Sequence, residues 1–250
     1  MRVAVLSDIH ANLPALEAVL DEPDVASADA VVLLGDIALG PMPAESLDRL
    51  AELGDRAVWV HGNCEREMIT AFDGGDVPGP NGADAAASAG LIGRAHRDRL
   101  DGLPLTVTLD IDGLGPTLFC HASPRRDDEM LLVDSPPERW AAALDGVEAG
   151  VVVCGHTHMP FTRLVDRRLV INPGSIGMPY GRPGGHWALL KNGDASLRRV
   201  EIDVDAAIAA VVADSTYPDR AAWADDYLRA QASDADAIRA FGPRDGRSAC

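Results

Sequence analysis

The sequence predicts an α/β fold in which the chain begins with a parallel sheet. Between residues 2 and 63, three short apolar runs alternate with segments of helical spacing. Such alternation favours parallel strands joined by crossover helices. After Pro104 the pattern changes to short paired segments around turn signals, which predicts antiparallel hairpins. Of the 250 residues, 47% are apolar, which is enough for the core of a sizeable domain.

The predicted strands of the first half are apolar runs that stop at polar or glycine-containing pairs, as buried parallel strands do. They cover residues 2–6, 30–34 and 57–60. Asn12 is expected to cap a helix that runs through Leu20, with Pro14 in its first turn, where a missing N–H is harmless. A second helix is predicted over residues 43–53, ending at Gly54.

The remainder of the chain predicts hairpins, one buried strand and further helices. A surface loop is expected over residues 73–83, and a single Ala-rich helix over residues 83–100. The predicted hairpins pair residues 105–111 with 117–120, 162–165 with 168–171, and 187–191 with 196–200 across Asn192-Gly193. A strand over residues 151–154 and helices over residues 203–212 and 221–230 complete the pattern. We expect one domain over residues 1–235 and a flexible C-terminal tail over residues 236–250.

Composition excludes several classes of protein. The formal net charge of −17 repels nucleic-acid phosphates, so no stable nucleic-acid binding is expected. The first apolar run is too short for a signal-peptide core, and no stretch approaches the roughly 20 apolar residues of a membrane span. The four cysteines show no CxxC spacing and are read as reduced thiols: Cys64, Cys120, Cys154 and Cys250. We therefore expect a cytoplasmic protein without membrane partners.

Residue types that bind metals follow the ends of five predicted strands. They are Asp8 with His10, Asp36, Asn63, His121, and His156 with His158. In open α/β sheets, ligands bind beyond the carboxyl ends of the strands, so these side chains are expected to meet at one rim. Carboxylates, imidazoles and an amide oxygen without thiolate suit Mn, Fe, Zn, Co or Ni better than a soft structural zinc site.

The spacing of these residues has a physical rationale. Asp8 and His10 are two residues apart, as are His156 and His158, so in an extended segment each pair would point to one side. A glycine precedes Asp36, Asn63 and His156, which permits a tight turn at the sheet edge.

The sequence resembles the calcineurin-like metallophosphoesterase superfamily, and within it the small prokaryotic phosphodiesterases, over residues 1 to about 200. The matching stretches are Ser7-Asp8-Ile9-His10, Gly35-Asp36, Gly62-Asn63-Cys64-Glu65, Cys120-His121-Ala122-Ser123, Gly155-His156-Thr157-His158 and Ile171-Asn172-Pro173-Gly174-Ser175-Ile176-Gly177. The resemblance implies a four-layer α/β/β/α sandwich with two mixed sheets.

The resemblance also implies a dinuclear site. Asp8, His10 and His158 would hold one divalent metal ion, Asn63, His121 and His156 the other, and Asp36 would bridge them. A metal-bound hydroxide would then hydrolyse a small phosphate ester, with phosphodiesters as the first choice. A protein phosphatase and a dinucleoside polyphosphate hydrolase are alternatives with the same chemistry. A non-catalytic binding module is the alternative from another class, disfavoured because all seven ligands are present.

The general acid is left open by one departure from the family. Many members carry a histidine immediately after the asparagine, where it is thought to help protonate the leaving group, whereas this chain has Cys64. We interpret Asp36, Asn63 and Cys64 as catalytic positions, and His61 as a candidate substitute for the acid.

Two further features each allow two interpretations, and two histidines are given one interpretation each. Arg125 and Arg126 are candidates for phosphate contacts or a solvated pair, and residues 172–177 for a substrate-orienting loop or a plain turn. His96 is interpreted as solvated and His186 as structural. The natural substrate and the oligomeric state are not predicted.

Overall fold

Two mixed sheets of five strands each form the centre of the computed structural model, which describes residues 1–246. In that range the strands are β1 (Arg2–Leu6), β2 (Ala30–Leu33), β3 (Ala57–Trp59), β4 (Thr106–Ile111), β5 (Gly115–Cys120), β6 (Val151–Val153), β7 (Phe161–Val165), β8 (Arg168–Asn172), β9 (Gly185–Lys191) and β10 (Asp194–Val200). The helices are α1 (Leu13–Leu20), α2 (Pro23–Ala26), α3 (Pro43–Ala51), α4 (Asn63–Phe72), α5 (Gly82–Ala89), α6 (Arg94–Asp101), α7 (Pro137–Ala143), α8 (Val204–Asp214), α9 (Arg220–Leu228) and α10 (Asp234–Phe241). Two 3₁₀ turns cover Gly54–Arg56 and Gly242–Arg244.

The first sheet has the strand order β10-β9-β1-β2-β3. As predicted, β1, β2 and β3 are parallel, and the β9–β10 hairpin adds antiparallel to the free side of β1. Leu6, the last residue of β1, lies between Leu33 and Trp187 in the register. The three parallel strands therefore end at one edge of the sheet.

The second sheet has the order β4-β5-β6-β8-β7. Its central strands β5, β6 and β8 are parallel, and the predicted hairpins β4–β5 and β7–β8 supply the antiparallel edges. The carboxyl ends of β5 and β6 meet the same rim as those of β1 and β2, because the loops that follow these four strands converge there.

The sheets pack face to face through apolar side chains that alternate along their strands. Val3 and Val32 of the first sheet share one buried cluster with Phe119 and Val153 of the second. Because successive strand residues point to opposite faces, the neighbours of these residues face outward and need a second layer of cover.

Helices provide that cover on both outer faces. Leu6 and Leu33 pack with Leu16 of α1 and Leu47 of α3 in one cluster, and Val152 packs with Trp140 of α7 in another. The expected four-layer α/β/β/α sandwich is confirmed.

The C-terminal helices are tied to loops of the sandwich. α8 and α9 bury Val211, Trp223 and Leu228 in a cluster with Met42, and the Tyr217 hydroxyl donates to Asp84 Oδ1 (2.6 Å).

The next segment, α10 with the turn after it, is anchored as well. Ala237 is buried against Met130 and Leu132, and Ser135 Oγ donates to Asp245 Oδ2 (2.7 Å). These contacts come from residues about 100 positions away. That residues 236–250 form a flexible tail stays a prediction. Residues 247–250 lie outside the described range.

Two local differences have identifiable causes. The helix predicted over residues 83–100 is split into α5 and α6, because α5 ends at Gly90 and Gly93 caps α6. Asn63 does not merely close a strand but begins α4, whose first turn is capped by the Glu65 carboxylate accepting the Gly62 N–H (2.8 Å). Asn12 caps α1 as predicted, accepting from the Ala15 N–H (3.3 Å).

Two expectations from composition can be compared with residues 1–246. No helix in this range combines the length and the apolar character that crossing a membrane requires. Cys64, Cys120 and Cys154 are buried and free, as predicted, whereas Cys250 lies outside the described range.

Candidate metal centre

The loops that follow four strands and the start of α4 bring all seven candidate ligands to one rim. Ligand atoms of Asp8, His10, Asp36 and His158 all lie within 4.8 Å of one another, and so do those of Asp36, His121 and His156. Asp36 belongs to both groups. Asn63, which supplies an amide oxygen rather than a charged ligand, lines the same cleft.

The distances show how tightly these polar atoms converge. His121 Nε2 lies 3.3 Å from Asp36 Oδ2, and His158 Nε2 lies 3.3 Å from Asp8 Oδ1. His10 Nε2 lies 3.2 Å from His158 Nε2 and 3.9 Å from Asp36 Oδ2. Two carboxylates and three imidazoles thus approach one another closely, in an arrangement that could hold metal.

Three of the four histidines are oriented by backbone carbonyls. The Nδ1 contacts are His10 with Leu39 O (3.1 Å), His121 with Leu34 O (2.7 Å) and His158 with Met178 O (2.9 Å). A carbonyl oxygen only accepts, so Nδ1 carries the hydrogen in each ring. In the neutral form of each ring the Nε2 lone pair then points toward the cluster, which is the arrangement of metal-binding histidines.

Several of the converging atoms are buried without a hydrogen-bond partner among residues 1–246. They are Asn63 Oδ1, His121 Nε2, and both ring nitrogens of His156. Buried polar atoms are rarely left unsatisfied, because each costs roughly 1–3 kcal/mol. Asn63 Oδ1, and one nitrogen of each neutral imidazole, can donate an electron pair to a metal, so the residues fit divalent cations.

The backbone at these residues is left-handed rather than extended. Asp8 (φ 52°), His10 (φ 48°), Asp36 (φ 50°), His156 (φ 66°) and His158 (φ 58°) all have positive φ. The expectation that extended geometry brings each Asp-x-His or His-x-His pair to one side is therefore wrong. Such conformations cost about 1–3 kcal/mol each and cluster at functional sites, where surrounding contacts hold them.

The glycines that precede the candidate ligands mainly allow neighbouring loops to pack closely against their backbone. A Cβ at Gly62 would lie 2.5 Å from Asp36 N, and a Cβ at Gly155 would overlap Ser7 Oγ and approach Asp8 Oδ2 to 2.6 Å. Only Gly35, with φ +85°, supplies a conformation that favours glycine. Any side chain at positions 62 and 155 would push ligand loops apart.

Glu65 is a site residue that the sequence reasoning did not assign. Its buried carboxylate accepts three backbone N–H groups, those of Asp36 (2.9 Å), Ile37 (2.8 Å) and Gly62 (2.8 Å). It therefore joins the loop after β2 to the start of α4. Its position three residues after Gly62 is the capping-box signal that could have identified it.

The loop over residues 172–177 is hydrogen-bonded to the loops that carry the candidate ligands and supports them. Ser175 Oγ donates to Asp8 O (2.7 Å), Gly177 N donates to the same oxygen (3.0 Å), and Asn172 Nδ2 donates to Gly155 O (2.8 Å). These contacts place the loop behind Asp8 and His156. That it orients substrate stays a prediction.

The electrostatics of the cluster favour anionic carboxylates. Burial opposes ionisation of Asp8 and Asp36, but His158 and His121 respectively outweigh it and lower the pKa of each carboxyl. Burial likewise opposes the charge on His121, yet Asp36 raises the pKa of that imidazole to about 10. Burial lowers the pKa of His10 and of His156 to about 4, so both rings are neutral near pH 7.

The pKa of Glu65, whose carboxylate lies beside this cluster, is shifted upward rather than downward. Burial, followed by the charge of Asp36, raises the pKa of Glu65 to about 7. Two carboxylates that share one buried region resist simultaneous ionisation.

Cys64 and His61 lie differently with respect to the cluster. The Cys64 N–H donates to Asp36 Oδ1 (2.9 Å), and its side chain lines the cleft. Burial and then the charge of Asp36 raise the pKa of the thiol well above its usual value. His61 Nδ1 instead lies 3.7 Å from Asp127 Oδ2, and His61 is not among the described residues that line the cleft.

The other polar candidates have protein partners. Arg125 contacts both oxygens of Glu129 (2.9 and 2.5 Å), and Arg126 contacts Asp128 (2.9 Å). His186 contacts Arg182 O (3.2 Å), in keeping with a structural role. His96 lies at the surface against Asp48 (2.9 Å).

A cleft of about 380 Å³ opens over the candidate ligands. Its lining includes His10, Asp36, Asn63, His156 and His158, together with residues of the loop before α5 and of the C-terminal helices. The volume lies within the roughly 300–1,000 Å³ of small-molecule sites.

Comparison with known proteins gives consistent results. A protein of Methanocaldococcus jannaschii described as uncharacterized is 28% identical over 239 residues, covering 84% of this chain and 91% of that protein. The phosphodiesterase YfcE of Escherichia coli is 25% identical over 202 residues, covering 77% of this chain and 88% of YfcE. The crystal structure of a metallophosphoesterase from Sphaerobacter thermophilus matches 92% of this chain and 99% of its own, with a TM-score of 0.73 and 24% identity, which shows the same fold.

The family comparison covers most of the chain. Residues 1–194 match the model of the calcineurin-like phosphoesterase superfamily domain, and this range contains every candidate ligand. The chain therefore belongs to the calcineurin-like phosphoesterase superfamily and is a metallophosphoesterase, a hydrolase of phosphoric esters.

Proposed function

We propose that the protein hydrolyses small phosphodiesters at a centre of two divalent metal ions. The observation that carries the proposal is the sharing of Asp36 by two ligand groups. Asp8, His10 and His158 complete one group, and His121 and His156 complete the other. We assign Asn63, which lines the same cleft, to the second group. Two neighbouring dications need an anionic bridge, and Asp36 is the residue that both groups contain.

The metal ions would supply Lewis-acid neutralisation of phosphoryl charge and lower the pKa of a water molecule. The side chains prepare the site for this chemistry. Backbone carbonyls fix the tautomers of His10, His121 and His158. The Cys64 N–H orients one oxygen of Asp36, which leaves the other oxygen toward His121.

The preference for diesters over monoesters rests on similarity. YfcE is named a phosphodiesterase, and the alignment with it extends over most of both chains. The deep placement of the ligands also suits a small ester, because Asp8 and His121 are fully buried beneath the cleft.

A metal-reconstituted substrate screen tests the proposal. Protein stripped by a chelator should lose hydrolysis, and Mn, Co or Ni should restore it with about two ions per chain. The screen contains phosphomonoesters, linear and cyclic diesters, phosphopeptides and dinucleoside polyphosphates. Highest kcat/KM on diesters is expected; active protein without bound metal would refute the dinuclear site, and a preference for monoesters or phosphopeptides would refute the substrate class.

A further inference from the structure

Four aromatic rings line the cleft together with the candidate ligands. Trp223 and Tyr227 come from α9, Phe241 from the end of α10, and Tyr180 from the loop before β9. We call these four residues the aromatic face. Three of the four lie beyond residue 194, where the match to the family domain ends. The C-terminal segment thus adds a surface to the cleft that the matched domain does not contain.

The aromatic face begins directly beside the candidate metal centre. The ring centroid of Tyr180 lies 6.0 Å from that of His158 and 6.2 Å from that of Phe241 in an edge-on arrangement. Trp223 and Tyr227 form a second ring pair at 5.1 Å. A group attached to a phosphate held near His158 would therefore lie against these rings.

Free space continues along the face. A second cavity of about 260 Å³ shares His158, Met178, Tyr180 and Tyr227 with the main cleft. Tyr227 is 37% exposed although it is a large apolar residue, so its ring is open to a ligand. The two cavities together give room for a planar group beside the reacting phosphate.

The polar residues around the rings indicate what kind of group this is. Asp84 lines the cleft, and Asn81 does too, donating its amide N–H to Glu67 (2.9 Å), which leaves its oxygen as an acceptor. Acceptors beside aromatic rings match the N–H donors and the π-face of a nucleobase. A hydrocarbon chain offers no donor to the Asn81 oxygen or to the Asp84 carboxylate, of which only Oδ1 accepts from Tyr217 (2.6 Å) within residues 1–246.

One cation completes the wall. Among the described residues that line the cleft, Arg244 is the only lysine or arginine, and its guanidinium makes no hydrogen bond or ion pair with residues 1–246. In a protein with a net charge of −17 and a cleft that also contains Glu67 and Asp128, a free guanidinium offsets the repulsion of an anionic substrate.

We propose that the aromatic face binds the nucleobase of the substrate, so that the preferred substrates are phosphodiesters that carry a nucleoside. This inference rests on the proposed phosphodiesterase function and names its substrate class. Aromatic stacking supplies the selectivity, because every base presents a π-face and a small alkyl group does not.

The test compares two diesters with the same leaving group. Thymidine 5′-(p-nitrophenyl phosphate) and methyl p-nitrophenyl phosphate both release p-nitrophenolate as water adds to phosphorus, so they differ only in the retained group. We expect kcat/KM to be about tenfold or more higher for the nucleoside ester, the range of one stacked base. Equal values would overturn the inference, as would an equal gain for hexyl p-nitrophenyl phosphate, which would mark an unselective apolar surface.

Variants test whether the aromatic face causes the preference for the nucleoside ester. Tyr227→Ala should bring the ratio of the two kcat/KM values close to one, whereas Tyr227→Phe, which keeps the ring, should retain it. Leu164→Ala, at a residue that is 73% exposed on β7, serves as the control and should leave the ratio unchanged. A ratio that survives Tyr227→Ala together with Tyr180→Ala would overturn the inference.

A binding measurement separates this inference from the proposed function. Titration calorimetry with metal-loaded protein compares thymidine 5′-monophosphate with methyl phosphate. Tighter binding of the nucleotide, lost in Tyr227→Ala, supports the aromatic face even if neither diester is hydrolysed. Hydrolysis of the methyl ester alone would uphold the phosphodiesterase proposal and refute this one.

Discussion

Asp36 is the residue on which both ligand groups depend. Asp36→Asn keeps the size of the side chain and removes the charge that lets two dications lie close together. We expect kcat to fall by at least about 100-fold, equivalent to about 2.7 kcal/mol in the barrier, and metal content to drop below two ions per chain. Steady-state kinetics and metal analysis of the purified variant measure both quantities.

A matched substitution controls for the loss of one aspartate charge. Asp166 is 74% exposed at its side chain, has positive φ as Asp36 does, and lies in the turn between β7 and β8. Asp166→Asn should keep activity and metal content. Near-native activity in Asp36→Asn would show that the ligand assignment is wrong.

We propose that Cys64, which stands where many family members have a histidine, makes the rate depend on the acidity of the leaving group. A buried thiol whose pKa lies well above the usual value is a poor proton donor at neutral pH. Wild-type protein should therefore cleave aryl diesters much faster than alkyl diesters, and Cys64→His should narrow the gap by accelerating the alkyl substrates. The measurement is a rate series over leaving groups of graded acidity at fixed metal concentration.

The slope of that series decides the outcome. A flat series in wild-type protein would mean that an acid is already present. His61 would not be its first candidate, because it faces Asp127 rather than the cleft.

The ligand residues could be predicted one by one because each stands at the end of an apolar run, where the sheet geometry requires convergence. The role of Glu65 as an acceptor between two loops could not be predicted. It depends on the N–H groups of Asp36 and Ile37, which are 28 to 29 positions away. The left-handed backbone of the candidate ligands was not predicted either, because Asp and His, although enriched at positive φ, adopt it at only a minority of positions.

At the scale of elements, Glu65 holds the β2 loop against the start of α4. Glu65→Gln replaces an acceptor oxygen with an amide that cannot accept, so at least one backbone N–H loses its partner. We expect the free energy of unfolding to fall by about 1–3 kcal/mol and metal affinity to weaken. Urea unfolding and metal titration provide the two measurements.

The control for this loss is Glu52→Gln. Glu52 is 67% exposed at its side chain and, within residues 1–246, forms its ion pair with Arg49 alone (3.1 Å), so little change is expected. Equal effects of the two substitutions would contradict the connecting role of Glu65.

Glu129 connects the loop after β5 to α7 and gives the fold a pH dependence. Its buried carboxylate contacts Arg125 (2.5 Å) and Arg139 (3.0 Å). Burial opposes its ionisation, but Arg125 outweighs this and lowers the pKa of Glu129 below the usual 4.5. A lowered pKa in the folded state stabilises the fold above the unfolded-state pKa, and this stabilisation disappears as the pH falls through the folded-state value.

The corresponding measurement is urea unfolding of wild type and Glu129→Gln at pH 7 and near pH 3. The variant should be less stable by about 1–3 kcal/mol at pH 7, and the difference should shrink below pH 4.5. The exposed Glu148 provides a control as Glu148→Gln. A difference that stays constant or grows in acid would contradict the assignment.

Strands and hairpins were the elements best predicted from sequence. Their alternation and turn residues are local, as at Asn192-Gly193 between β9 and β10. The break between α5 and α6 was missed although Gly90 and Gly93 mark it, because the run of alanines before them suggested continuity.

For the whole molecule, metal binding should contribute to stability. Ligands that bind only the folded state stabilise it by mass action, about 2.7 kcal/mol at 100 times Kd. The unpartnered Asn63 Oδ1 and His156 nitrogens should therefore make the metal-free protein melt at a lower temperature than the Mn-loaded one. Scanning calorimetry with and without chelator tests this, and identical melting temperatures would refute it.

Calcium at the same concentration is the control. It prefers oxygen ligands, so a site with four imidazoles should bind it poorly and give little stabilisation. Asp36→Asn should lose most of the Mn-dependent increase.

The architecture of residues 1 to 200 followed from the sequence because its strand order and motifs are shared with a known superfamily. The placement of the C-terminal helices did not follow. Trp223 packs on Met42, and Phe241 joins the cluster of Met130 and Met159, so their positions depend on partners far away in the chain.

The strand order has a consequence for synthesis on the ribosome. His10 and His158 are 148 residues apart, which corresponds to roughly 7–30 s of translation. During that interval β1 can pair with β2 but not with β9, so one of its edges stays open in the nascent chain. Metal can therefore enter a complete set of ligands only after most of the polypeptide has been made, and chaperones and proteases meet a metal-free intermediate first.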